Sequence, residues 1–125
     1  MKEGLKKVHT IIVTLVIITV FSGSCMKKEV PVLKTWDVLL VTISSAVSGG
    51  TIVDEGSSTV ISLGVCWSTE PGPTIQDFKT LERAGQTQYS SSLKGLIGGT
   101  KYYVRAYAIN DIGIGYGNEV TFTTL

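Results

Sequence analysis

Between Leu96 and Asn110 the chain reads Leu-Ile-Gly-Gly-Thr-Lys-Tyr-Tyr-Val-Arg-Ala-Tyr-Ala-Ile-Asn. Tyr102, Val104, Ala106 and Ala108 share one phase; Tyr103, Arg105, Tyr107 and Ile109 share the other. This alternation predicts a tight turn feeding a long central β-strand with two distinct faces. Other strands are predicted at short intervals. The apolar run Val38 to Val41 carries a strand signal that continues to Ser48, with its inward phase divided between Val41, Ile43 and Val47 on one side and Ala46 and Ser48 on the other. A bulge, or two strands sharing the stretch, reconciles the two phases. Gly49-Gly50 and Asp54-Glu55-Gly56-Ser57 read as turns, because Gly tolerates positive φ and Asp caps its own backbone. Thr59 to Ser68 is the next strand, with Ile61, Leu63, Val65 and Trp67 on one face. Trp67 is the largest core candidate, able to bury on the order of 200 Å². Glu70-Pro71-Gly72-Pro73 breaks that strand. Phe78 to Arg83 reads as a short edge strand and Gln86 to Leu93 as another. Residues 110–115 read as a loop, and Tyr116 to Thr124 as the last strand, with Val120 and Phe122 inward. Many short strands with turn chemistry between them predict an all-β sandwich or barrel. No repeat at a period of about 20–50 residues is visible.

The leader has a different pattern. Lys2, Lys6 and Lys7 precede an apolar run from Val8 to Phe21, and Ser22-Gly23-Ser24-Cys25 follows. A basic start, a short greasy stretch and small residues before a cut site describe a secretory signal peptide over residues 1–24, predicted as a helix. The run is shorter than the roughly 20 residues a spanning helix needs. Residues 25–35 read as a tether and residues 36–125 as the folded domain.

Composition changes this picture little. The chain has 125 residues, 14 of them Gly, and a formal net charge of +1. Without the leader's three Lys and one Glu the remainder is close to neutral. Such a balance offers no concentrated basic surface and predicts no nucleic-acid partner. A domain of about 90 residues can bury a core without disulfides.

Three separated stretches carry a family resemblance. Leu96-Ile97-Gly98-Gly99-Thr100-Lys101-Tyr102 resembles the turn before strand F of a fibronectin type III domain, with Gly98 where that pattern has Pro. The resemblance gives Tyr102 the tyrosine-corner role: ring in the core edge, hydroxyl bonded back to the turn. Gly64 to Thr69, Tyr102 to Ala108 and Tyr116 to Val120 resemble a fibronectin-III-like module of Bacteroidetes envelope proteins. This implies an immunoglobulin-like sandwich of about seven strands over Trp36 to Thr124, and no particular ligand. Phe21 to Cys25 resembles the lipobox of Bacteroidetes-type lipoproteins, which implies a lipid on Cys25 and an outer-membrane address on either face. The alternative is an unlipidated secreted protein with an incidental Cys. Acyl chains would hold the domain at a membrane, at about 0.8 kcal/mol per buried methylene.

Catalytic chemistry is scarce. The only His is His9, within the leader, so the remainder offers no imidazole base for a Ser–His–Asp or Cys–His pair. Two Cys are too few for an all-Cys zinc site. Gly113-x-Gly115-x-Gly117 lies between strands, with no helix N-terminus to receive a phosphate. Asp54 and Glu55 read as a solvated turn, against calcium or catalysis. These features predict no enzyme and no cofactor. Cys66 alternates away from Trp67, onto the outer face, as a half-buried small hydrophobe or a redox or intermolecular thiol.

Two features are candidates for recognition. Tyr103, Arg105 and Tyr107 would share an exposed face with Cys66, Thr121 and Thr123; Tyr and Arg are enriched at hot spots, and Tyr and Thr are also good solvent-face strand formers. Ile112 and Ile114 at a loop tip either invite a partner or fold back on the domain. The expected role is a lipid-anchored envelope binding or spacer module contacting other envelope proteins. The alternative is a carbohydrate-binding accessory component using the Tyr103/Tyr107 face.

Overall fold

The computed structural model describes residues 27–125; the leader and Cys25 lie outside the described residues. Among them the secondary structure is entirely β, in eight strands: β1 (Val32–Thr35), β2 (Ala46–Asp54), β3 (Ser62–Ser68), β4 (Phe78–Lys79), β5 (Gln88–Leu93), β6 (Lys101–Ile109), β7 (Ile114–Tyr116) and β8 (Val120–Thr123). One sheet has the order β1-β2-β5. The other runs β4-β3-β6-β7, with β8 also paired to β6. All pairings are antiparallel.

The predicted alternation of the central strand holds. Tyr102, Val104, Ala106 and Ala108 are buried between the sheets, beside Leu63, Val65 and Trp67 of the neighbouring β3 and opposite Tyr89 and Leu93 of β5 in the other sheet. β6 pairs with β3 on one side and with both β7 and β8 on the other. The last strand of the expected seven is broken in two, which brings the count to eight. At the break Gly117 N–H donates to the Ala106 carbonyl (2.8 Å). Thr35, at the end of β1, fills the gap: its Oγ1 accepts from Ala106 N–H (2.9 Å), and its own N–H donates to Asn118 Oδ1 (2.9 Å). A Cβ on Gly117 would stand 2.5 Å from Thr35 Oγ1, so only Gly fits.

Four local expectations are corrected by this arrangement. Residues 25–35 are not all tether: Val32–Thr35 is the first strand, with Leu33 and Thr35 buried. Too short to show periodicity, it is held by pairing with β2 and by the gap at Gly117. Gly49-Gly50 is no turn but the middle of β2. A Cβ on Gly50 would meet Tyr89 Oη at 2.7 Å and Ala106 Cβ at 2.8 Å, so these glycines mark a close approach. Through that space the Tyr89 hydroxyl reaches across to the Gly64 carbonyl (2.8 Å), which satisfies it despite burial. Ile61 is exposed, because β3 begins one residue later and Ile61 belongs to the preceding loop. In the divided stretch Ala46 and Ser48 point inward, whereas Ile43 is exposed in the loop before β2.

Candidate functional site

The outer face of the β3/β6 sheet was the predicted open surface, and the structure closes most of it. Residues 69–77 connect β3 to β4 and fold over that face. Their seat is polar. Arg105 Nε donates to the Pro73 carbonyl (2.9 Å), and the guanidinium lies 4.1 Å from the Tyr116 ring centroid. Ile75 N–H donates to the Tyr116 hydroxyl (3.1 Å), and Gly72 N–H to Glu119 Oε1 (2.6 Å). The Tyr107 hydroxyl donates to the Thr80 carbonyl. Cys66 Sγ lies 3.6 Å from the Pro73 carbonyl oxygen.

Cys66 and Tyr107 are consequently buried, and their expected exposure is corrected. Alternation put them on the outer face, as observed; the loop above them removes them from solvent. Burial pushes the Cys66 thiol up to about 11 despite the nearby Arg105 charge, and the Tyr107 phenol up to about 12. A thiol so raised is a poor nucleophile at neutral pH. Tyr103 and Arg105 are half-buried; the Lys101 ammonium sits 5.2 Å from the Tyr103 ring centroid. Thr121 and Thr123 are exposed. The six predicted neighbours therefore share a face but not an accessible surface.

Ile112 and Ile114 separate. Ile114 opens β7 opposite Ile109 and is half-buried, while Ile112 stays 39% exposed at the loop. Tyr102 does what the resemblance implied: its ring is buried and stacks on Phe122 at 5.6 Å, and its hydroxyl accepts from Ile97 N–H at 2.8 Å. Trp67 is buried as expected.

What sequence reading missed is a groove of about 520 Å³ at the end of the sandwich where β3 ends and β6 begins. Phe78, Ile97 and Tyr102 form its apolar walls; Ser68, Thr69, Gln76 and Asp77 supply polar groups. Phe78 stacks nearly parallel on Trp67 with centroids 6.1 Å apart, yet its own side chain is 71% exposed. Ile97 is 67% exposed. Leu40 and Leu125 are also exposed. Leu125 belongs to the same end, since its carbonyl accepts from Gly99 N–H (3.0 Å). The available signal was a bulky apolar residue on each of two connections, Phe78 after a Pro-rich break and Ile97 inside a turn motif. Each alone looked like a strand or turn residue; only the fold puts them together.

Among the described residues no group of three or more His, Cys, Asp or Glu stands close enough to hold a metal ion. The groove offers aromatic surface, a carboxylate, an amide and hydroxyls, which is contact chemistry.

Comparison with known proteins agrees on architecture. No protein-family model matches the chain, and no curated protein matches it. Solved structures do. A fibronectin type III domain of human collagen XX superposes with a TM-score of 0.57 at 20% identity, covering 81% of this chain and 98% of that one. A structure described as "Myokine structure" gives 0.55 at 22%, covering 78% and 98%. The sensor domain of the anti-sigma factor RsgI4 from Pseudobacteroides cellulosolvens gives 0.56 at 16%, covering 79% and 98%. The domain is thus a fibronectin-type-III-like β-sandwich of the immunoglobulin class. At these identities the likeness is one of fold.

Proposed function

We propose that this chain is a binding or spacer module of a bacterial cell envelope, held at the outer membrane by lipid on Cys25, and that it works by contact and not by catalysis. The basic start, apolar run and small residues before Cys25 support the anchor. The observation that carries the binding role is the groove end: Phe78 stands out 71% exposed, braced from below by the buried Trp67 ring, with Ile97 across from it. Exposed apolar groups held rigidly around a groove are what a protein partner buries. In cells, a photo-crosslinking residue at position 78 should form an adduct with an envelope protein, and one at position 121 should not. Equal yields at the two positions would refute the groove as the contact surface.

A glycan ligand is the second reading, now at a different place. Gln76, Asp77, Ser68 and Thr69 beside an exposed ring match sugar hydroxyls and sugar C–H faces. Trp67 lies against Phe78, so its emission reports on the groove. Titration with soluble envelope glycans should shift that emission in the parent and not in Phe78→Ala; no shift in the parent removes this reading.

A further inference from the structure

The N-terminal segment is bolted to the fold. Glu29 N–H donates to Ser57 Oγ (2.7 Å), and Ser57 N–H donates back to the Glu29 carbonyl (3.0 Å). The Ser57 hydroxyl donates to the Lys27 carbonyl (2.8 Å), and Asn110 Nδ2 donates to the Glu29 carbonyl (3.0 Å). Lys27–Glu29 is thereby clamped to the 55–61 and 110–113 loops. Only two Cα–Cα steps of sequence separate Cys25 from the clamp at Lys27, a span of at most about 7 Å.

We propose that the pole built from residues 27–30, 55–61 and 110–113 is apposed to the bilayer surface, at the headgroup layer. The proposal rests on the lipidation of Cys25 put forward above. Acyl chains hold a lipidated Cys at the edge of the hydrocarbon. The headgroup layer beyond that edge is about 5–8 Å thick on each side. A leash of about 7 Å is comparable to that thickness, so the clamped pole stays within the layer or against its outer edge.

The pole's surface suits that position. Ile61 is 63% exposed, Ile112 39% and Val30 37%. Its charges are mixed: Lys27 and Lys28 are set against Glu29, Glu55 and Asp111. Anionic lipid therefore has no net attraction for this end, and the leash and apolar tips set the orientation. β6 runs from the groove at Tyr102 to the pole at Ile109, seven residue steps, which places the groove about 23 Å along the strand from the membrane-facing pole. The clamp therefore presents Phe78 and Ile97 outward.

The test uses the full lipoprotein in phosphatidylcholine vesicles doped with a headgroup-nitroxide lipid. Fluorophores are placed by thiol chemistry at Ile112→Cys or at Ile97→Cys; the buried Cys66 does not compete. Intact mass first reports whether Cys25 carries lipid. If it does not, the anchoring reading falls and this proposal falls with it. With lipid confirmed, the probe at 112 should be quenched at least about 3-fold more than the probe at 97. Salt and added phosphatidylglycerol should leave that ratio unchanged. Equal quenching on mass-confirmed lipoprotein overturns the orientation and leaves the anchor standing. A Gly/Ser insertion of about 15 residues between Met26 and Lys27, with a root-mean-square span of roughly 20 Å, should erase the difference; unchanged quenching at 112 would contradict the short leash as its cause.

Discussion

Two regions of the molecule hold similar side chains and treat them in opposite ways. On the outer face of β3/β6, Tyr107 and Cys66 lie beneath residues 69–80, with hydrogen bonds from Arg105, Tyr107 and the backbone holding the cover down. At the sandwich end, Phe78 and Ile97 stand in solvent around a groove. Both regions are aromatic and both flank β3. A connection long enough to fold back lies over the first, and nothing in the described chain lies over the second. Strand alternation assigns a side chain to a face; whether that face is open depends on the loops.

The comparison breaks most severely at Gly64. A Cβ there would stand 2.2 Å from the Thr80 carbonyl oxygen. Gly64→Val should lift the cover and cost about 3 kcal/mol, seen as a lower urea midpoint. The matched Thr121→Val on an exposed strand position should cost less than about 0.5 kcal/mol.

Removing the Arg105 bonds is the next largest change. Arg105→Met leaves the Pro73 carbonyl without its guanidinium donor and strips the ring of Tyr116. The expected loss is about 2 kcal/mol, with faster reaction of Cys66 with a disulfide reagent. Unchanged Cys66 reactivity would show that the loop is held by other means.

Alkaline pH sharpens the same contrast. The fold raises the Cys66 thiol from its ordinary 9.0 to about 11. The stability linked to this group is fully present below pH 9 and is lost as pH rises through about 11, because the unfolded chain releases its proton first. Denaturation at stepped pH should show this thiol contributing about 2 kcal/mol of decline over that window, and Cys66→Ala should remove that share. Tyr107, raised from 10.0 to about 12, and Tyr89, raised by its burial, add their own declines from about pH 10 upward, overlapping the upper half of that window.

At the open end effects on stability are smallest. Phe78→Ser should change stability by less than about 0.5 kcal/mol, because most of its ring is already in water. It should shift Trp67 emission to the red by uncovering the indole. A large loss of stability would mean that Phe78 is core, and the distinction between the regions would collapse.

Much of the architecture was legible beforehand. The phases of Leu63/Val65/Trp67 and of Tyr102/Val104/Ala106/Ala108 defined the two inward strands facing β5, and Tyr102 took the corner its turn motif implied. Period two is a local signal, and β3 and β6 are long enough to show it. Three things were hidden for physical reasons. β1 has only four residues, and its place depends on Thr35 meeting a gap at Gly117 more than eighty residues away. Gly49-Gly50 carries turn composition, but there it makes room for Tyr89, a long-range fact. The candidate site suffered most, since exposure of Tyr107 or Phe78 depends on where residues 69–80 run, and no local pattern encodes that.

Oxidative footprinting of the folded protein by hydroxyl radicals, read by mass spectrometry residue by residue, compares the two regions in one sample. Phe78 should be modified at close to the rate of a free side chain, while Tyr107 and Cys66 stay protected until the protein unfolds. Labelling of Tyr107 and Cys66 as fast as Phe78 would mean that the sheet face is open and that the groove has no special claim as the contact surface.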